Sequence, residues 1–138
     1  MVRVDSVGGD FGEAMAMTEA LRRLSTRQLV RIEVLAHGRC ESMCTVLWTA
    51  AAERVAAPGA RFMFHAPRRP LGGSERHFAG TETETEAMRQ AIGGVDPALL
   101  AELERRGAFA AIPIDVPLTA AEIAALGGDY LRLDPALR

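Results

Sequence analysis

Leu29-Val30-Arg31-Ile32-Glu33-Val34-Leu35-Ala36 alternates apolar and charged residues, and a period of two predicts a strand. The flanks turn one strand into a fold. Upstream, residues 11–24 carry Phe11, Met15, Met17, Leu21 and Leu24 among small alanines, which predicts a helix with one buried face, leaving through Ser25 and Thr26. Before it, residues 2–5 read as the end of a strand and run into Ser6-Val7-Gly8-Gly9-Asp10. Two adjacent glycines there mark a tight turn whose backbone can approach another group closely. Downstream, His37-Gly38-Arg39-Cys40 predicts a short turn, and residues 41–53 a helix with Met43, Val46, Leu47 and Ala50 on one side. Residues 54–57 and 61–65 predict two strands, separated by Pro58-Gly59 and closed by Pro67. The order strand, helix, strand, helix, strand, strand is an α/β layout with a mostly parallel sheet.

The second half changes character. Residues 68–80 form a polar loop with glycine and proline, long enough to be functional. Residues 81–92 and 96–106 predict two helices broken by Gly93-Gly94, the second with Asp96 as N-cap and Pro97 in its first turn. Two prolines force residues 112–117 to be extended. Thr119-Ala120-Ala121-Glu122 is a capping box opening another helix, which stops at Gly127-Gly128. Residues 130–133 read as a last strand or tail, and the Thr-Glu alternation at 81–86 as a solvated helix start.

The chain has 138 residues, room for one domain spanning 1–138. A formal net charge of −2 gives no basic surface for nucleic acid, and 5% aromatic content no stacking platform for single strands. No stretch is apolar enough to span a membrane. Two cysteines exclude a disulfide-dense miniature scaffold. All sixteen basic residues are arginine, which excludes lysine-dependent mechanisms.

Three side chains invite chemistry. Ser42 falls where the turn at 37–40 becomes the helix at 41–53; a hydroxyl there faces free amides, conditions that suit a nucleophile and equally suit a simple cap. His65 closes an apolar strand, the place of a base or of a structural hydrogen bonder. Asp115 sits in an extended Ile-Pro-Ile-Asp-Val-Pro segment. Each lies at the edge of a regular element, where α/β folds gather catalytic groups. The Gly8-Gly9 turn can bring its amides alongside Ser42 to join that of Met43 as an oxyanion hole. The Gly-x-Ser-x-Gly elbow is missing, so a triad here needs another scaffold.

Gly38-Arg39-Cys40-Glu41-Ser42-Met43-Cys44-Thr45 resembles the nucleophile segment of the proteolytic subunit of Clp protease, Gly-x-x-x-Ser-Met. Residues 54–67 resemble that family's strand pair ending in the catalytic histidine and a following proline. Val4-Asp5-Ser6-Val7-Gly8-Gly9-Asp10 is similar to its Ile-Asn-Ser-Pro-Gly-Gly turn, and Asp115-Val116-Pro117-Leu118-Thr119-Ala120-Ala121-Glu122 to its Asp-x-x-(Met/Leu)-(Ser/Thr)-Ala-x-Glu segment. The four segments stand in order across nearly the whole chain. The resemblance implies a ClpP/crotonase-like spiral of strand-helix units, short at its N-terminal end, with a helical segment after the histidine. It implies a serine peptidase with Ser42 as nucleophile, His65 as base, Asp115 orienting the histidine, and an oxyanion hole from Gly8, Gly9 and Met43. No cofactor or metal is implied. Expected partners are a peptide or protein substrate and further copies in a ring contacting through residues 81–106. A Clp-type ATPase is not expected, since its docking loops belong to the absent front region. The paired cysteines resemble the envelope-type ClpP-like proteins of bacteria; as written the chain reads as cytoplasmic, and an upstream export segment would send it to the envelope.

Other readings of the same residues stand beside this one. Val7 in place of proline, and Glu41 directly before Ser42, favour a non-catalytic assembly or binding module, whereas retention of Ser42, His65 and Asp115 together favours the enzyme. An acyl-CoA hydratase or isomerase of the same spiral fold would make that set a coincidence. Cys40 and Cys44 read as buried small hydrophobes beneath the serine. A disulfide between them needs a distorted first helical turn, and a metal site would need His37 and His65 to converge on them.

Overall fold

A computed structural model describes residues 1–70, 77–112 and 114–138. The described elements are, in chain order, β1 (Val2–Arg3), α1 (Phe11–Ser25), β2 (Arg31–Val34), β3 (Arg39–Glu41), α2 (Cys44–Trp48), β4 (Glu53–Ala56) and β5 (Arg61–Phe64). They continue with β6 (Arg68–Pro70), β7 (His77–Ala79), α3 (Glu82–Gly93), α4 (Pro97–Arg105), β8 (Val116–Thr119), α5 (Ala120–Ala125) and β9 (Arg132–Leu133). The α/β layout expected from the sequence is present. One sheet runs β1-β2-β4-β9, entirely parallel; a second runs β3-β5-β8, parallel between β3 and β5 and antiparallel between β5 and β8. Ser6 bridges Cys40 and so extends the second sheet by one position beyond β3.

Helix α1 starts where predicted because the Asp10 carboxylate caps it, accepting from the Glu13 amide at 3.0 Å. Its core-facing side carries Phe11, Met15, Thr18 and Leu21, while Met17 and Leu24, expected inside, face outward. At about 100° per residue those two stand well off the line of Phe11 and Met15. Strand β2 buries Ile32, Glu33 and Val34 alike, as a strand covered on both faces must. Glu33 is ion-paired there with Arg31 at 2.7 Å and Arg3 at 3.4 Å. The aromatic part of the core joins α2, β5 and the approach to β9: Trp48 stands edge-on to Phe62 (5.2 Å between centroids) and Tyr130 edge-on to Phe64 (5.8 Å).

Four further expectations are corrected. Residues 39–41, read as turn and helix start, form β3, because Cys40 and Glu41 find ladder partners in Phe62 and Met63; the helix then runs only from Cys44 to Trp48 before tightening into turns. The ends of the loop at 68–80 pair as a hairpin, Arg68 opposite Ala79, closed by the Gly80 amide on the Pro67 carbonyl at 2.7 Å; its centre at 71–76 lies outside the described residues. Of the extended segment at 112–117 only the part from Val116 onward is strand, with bends at 110–112 and Pro113 outside the described residues. The cysteines are not free hydrophobes but a disulfide. The helices after the loop stand where predicted, α3 and α5 each opened by a complete Thr-x-x-Glu capping box.

Candidate active site

The three-stranded sheet brings the expected residues to one edge. Glu41 pairs with Met63, and the next residue, Ser42, donates its amide hydrogen to the Met63 carbonyl at 2.8 Å. Phe64 pairs with Val116, so His65 and Asp115 are the adjoining residues on the middle and outer strands where that ladder ends. Ser42 follows β3, His65 follows β5 and Asp115 precedes β8. The histidine belongs to the strand between the other two.

Ser42 is the only non-glycine residue with positive φ among the described residues, at 55°. A left-handed backbone at such a residue costs about 1–3 kcal/mol and persists where its surroundings impose it. The surroundings are visible. The Ser42 carbonyl accepts from the Thr45 hydroxyl at 2.6 Å and from the Thr45 amide at 3.0 Å. Cys40 and Cys44 join across the turn, with their α-carbons 5.1 Å apart. Closing so short a loop contributes about 2 kcal/mol on the chain-entropy relation, the same size as the backbone cost. The sequence reading allowed this bond only with a distorted first turn. The distortion exists because Cys40 is on a strand and Ser42 is left-handed. With both sulfurs bonded to each other, the metal reading through His37, Cys40, Cys44 and His65 lapses.

Gly8, at φ 95°, folds over the serine. A β-carbon on it would stand 2.6 Å from Ser42 Cβ, 2.9 Å from the Glu41 carbonyl and 3.1 Å from Ser42 Oγ, so only glycine fits. The Gly8 amide donates to the Ser6 hydroxyl at 3.1 Å, a local turn that stiffens a loop where Val7 gives no ring constraint. The amides of Gly9 and Met43 donate to no partner among the described residues. The turn thus presents two open N–H groups in the segments flanking the hydroxyl.

His65 is buried, and its Nδ1 lies 2.6 Å from the Ala66 carbonyl. A carbonyl oxygen only accepts, so Nδ1 carries the proton and, in the neutral ring, Nε2 keeps its lone pair. Burial pushes the ring's proton affinity below the ordinary histidine value; Arg68 lowers it further, while the Ala66 hydrogen bond and Asp115 pull the other way. The result is a neutral imidazole with a free basic nitrogen. Asp115, half-exposed, is held by the guanidinium of Arg68 in an ion pair. The Ala66 carbonyl therefore holds the nitrogen that an orienting carboxylate would hold.

Sequence reasoning missed Arg68, Ser6 and Tyr130. The Tyr130 hydroxyl donates to the Thr45 carbonyl at 2.7 Å and braces α2 from behind, and the Trp48 indole donates to the Tyr130 carbonyl at 3.1 Å. Only the charge of Arg68 beside Pro67 hinted at a role; nothing local marked the other two. Among the described residues no group of three or more His, Cys, Asp or Glu is arranged to hold a metal ion, and no helix is long and apolar enough to cross a membrane.

No curated protein matches the chain. The family model described as Clp protease matches residues 1–96, which include the glycine turn, Ser42 and His65 and stop before Asp115. With more than half of its length covered by that match and an α/β fold built on parallel strands, the chain belongs to the Clp protease family.

Proposed function

We propose that the chain is a serine-type peptide hydrolase. Ser42 attacks the scissile carbonyl, His65 takes its proton through Nε2 and returns it to the leaving amine, and Asp115 favours the imidazolium that forms between the two steps. The open amides of Gly9 and Met43 receive the developing oxyanion, whereas the Gly8 amide, expected to join them, is already given to the Ser6 hydroxyl at 3.1 Å. The observation that carries this reading is the shared strand edge of Ser42, His65 and Asp115, together with a serine held left-handed against a glycine that admits no side chain. An active-site-directed fluorophosphonate tests it: Ser42 is labelled, and Ser42→Ala abolishes labelling. An intact chain that is never labelled ends the proposal.

One observation favours a second reading, a non-catalytic relative that assembles or binds. Arg68 occupies the carboxylate that would steady the imidazolium. The same labelling experiment separates the two. Assembly is a further part of the proposal: copies join through the α3–α4 region, and sedimentation as a monomer would contradict that whatever the activity.

A further inference from the structure

The chemistry just proposed uses neither sulfur of the disulfide, yet the bond joins sheet to helix around the nucleophile. Cys40 belongs to β3 and Cys44 opens α2, and both are buried. Within the span between them lies the one left-handed non-glycine backbone among the described residues. The other restraints act on one side each. The amide of Ser42 is tied to β5 through Met63, and its carbonyl to α2 through Thr45. Neither ties β3 to α2 across the serine, and α2 begins with no side-chain cap. Gly8 leaves the serine little room to rotate without losing its place beside that backbone.

We propose that the Cys40–Cys44 disulfide is a positioning element for Ser42. It holds the serine backbone left-handed with its hydroxyl beside Gly8, and opening it lets the turn relax and withdraws the nucleophile. The catalytic half of this inference rests on the hydrolase reading; the conformational half does not. Opening consumes a dithiol. One thiolate attacks a disulfide sulfur, the second thiol resolves the mixed disulfide, and the donor leaves as its cyclic disulfide while two electrons and two protons pass to Cys40 and Cys44. Because both sulfurs are buried, the bond acts as a fixed clip and not as a rapidly cycling switch.

The test uses the full chain in four forms: oxidised, reduced with dithiothreitol, reoxidised, and Cys40→Ala/Cys44→Ala. Two quantities are read: the Ser42 ¹³Cα and ¹³Cβ shifts, which report the sign of φ, and the fluorophosphonate labelling rate. Opening the bond should move the shifts away from left-handed values and slow labelling about 10- to 100-fold, with KM for a peptide ester within about twofold. Reoxidation should restore both, and dithiothreitol should not affect the double variant. Unchanged Ser42 shifts on opening overturn the proposal. So does global unfolding, read as loss of the near-ultraviolet signal of Trp48, because the bond would then be a staple of the whole fold. If the double variant does not fold, the reduced wild type carries the comparison. An oxidised wild type that is never labelled defeats the hydrolase reading alone, and the shifts still decide whether the disulfide sets the serine.

Discussion

Arg68 binds the carboxylate of Asp115, and Asp115 stands at the ladder position that adjoins His65. The arginine and the aspartate act oppositely on the imidazole, and pairing them mutes both. Burial dominates, so the ring stays neutral to lower pH than an exposed histidine would.

That balance fixes the direction of a pH experiment. The base must be neutral, and its folded-state affinity for a proton is depressed. Activity is therefore full above the ordinary histidine pKa and is lost as pH falls through the lower folded value. Arg68→Gln removes one lowering influence and releases Asp115, so the acid limb moves to higher pH. Asp115→Asn removes a raising influence and moves the limb lower, with a fall in kcat. The pH profile of peptide-ester hydrolysis measures the shift, and ¹H–¹³C titration of the His65 ring gives the same order without turnover. Shifts of the same sign in both variants would defeat this account.

The two glycines of the front turn should respond differently to alanine. At Gly8 the new methyl meets Ser42 Cβ at 2.6 Å and the Glu41 carbonyl at 2.9 Å, on a backbone of φ 95°. The cost is about 2 kcal/mol or more, since Ser42 Cβ is fixed to its backbone and the Glu41 carbonyl is backbone, so neither can rotate aside. At Gly9 an added β-carbon meets nothing within 4 Å. Thermal melts should show Gly8→Ala several degrees below wild type and Gly9→Ala close to it. Fluorophosphonate labelling should drop about 100-fold or more in Gly8→Ala.

How much of this was legible in the chain follows from how local each signal is. Asp96 and Thr119 announced their helices because a cap is written within four residues, and the caps at Asp10 and Thr81, of the same local kind, were passed over. Residues 39–41 were misread because β3 exists only through Met63 and its neighbours, some twenty residues away, and propensity over three residues cannot register that. The disulfide was hidden for the same reason: the distortion that permits it comes from the strand. Ser42, His65 and Asp115 were visible as residue types at element ends. Arg68 was not, because its partner lies 47 positions downstream.

Asp96 does more than cap α4. Its two oxygens accept from the Leu99 amide at 2.9 Å and the Tyr130 amide at 3.1 Å, and the residue is buried. A β-carbon on Gly128 would lie 2.0 Å from Asp96 Oδ1, and the carboxylate cannot swing aside without losing a buried hydrogen bond. Asp96→Ala strands two amides and should cost about 3 kcal/mol, seen as a Tm drop of roughly 10 °C. Gly128→Ala should lower Tm in the same direction, through the same carboxylate. A combined variant should fall well short of the sum of the two losses.

Tyr130 is the only tyrosine in the chain, so its ionisation can be followed directly. Full burial pushes its hydroxyl well above the ordinary phenol value, with the Arg54 charge opposing that only in part. In the unfolded chain the phenol ionises near its usual pKa of about 10. Above that pH the unfolded state has lost a proton that the folded state keeps, so stability is full below it and declines as pH rises toward the folded value. Alkaline titration at the tyrosinate band should therefore show no ionisation at the ordinary phenol pKa, then a cooperative rise coincident with loss of the Trp48 near-ultraviolet signal. Tyr130→Phe leaves the buried Thr45 carbonyl without its donor and should cost about 1–2 kcal/mol at neutral pH. It should also remove this source of alkaline destabilisation. A smooth tyrosinate titration near the ordinary value in the folded chain would contradict the burial on which the bracing of α2 depends.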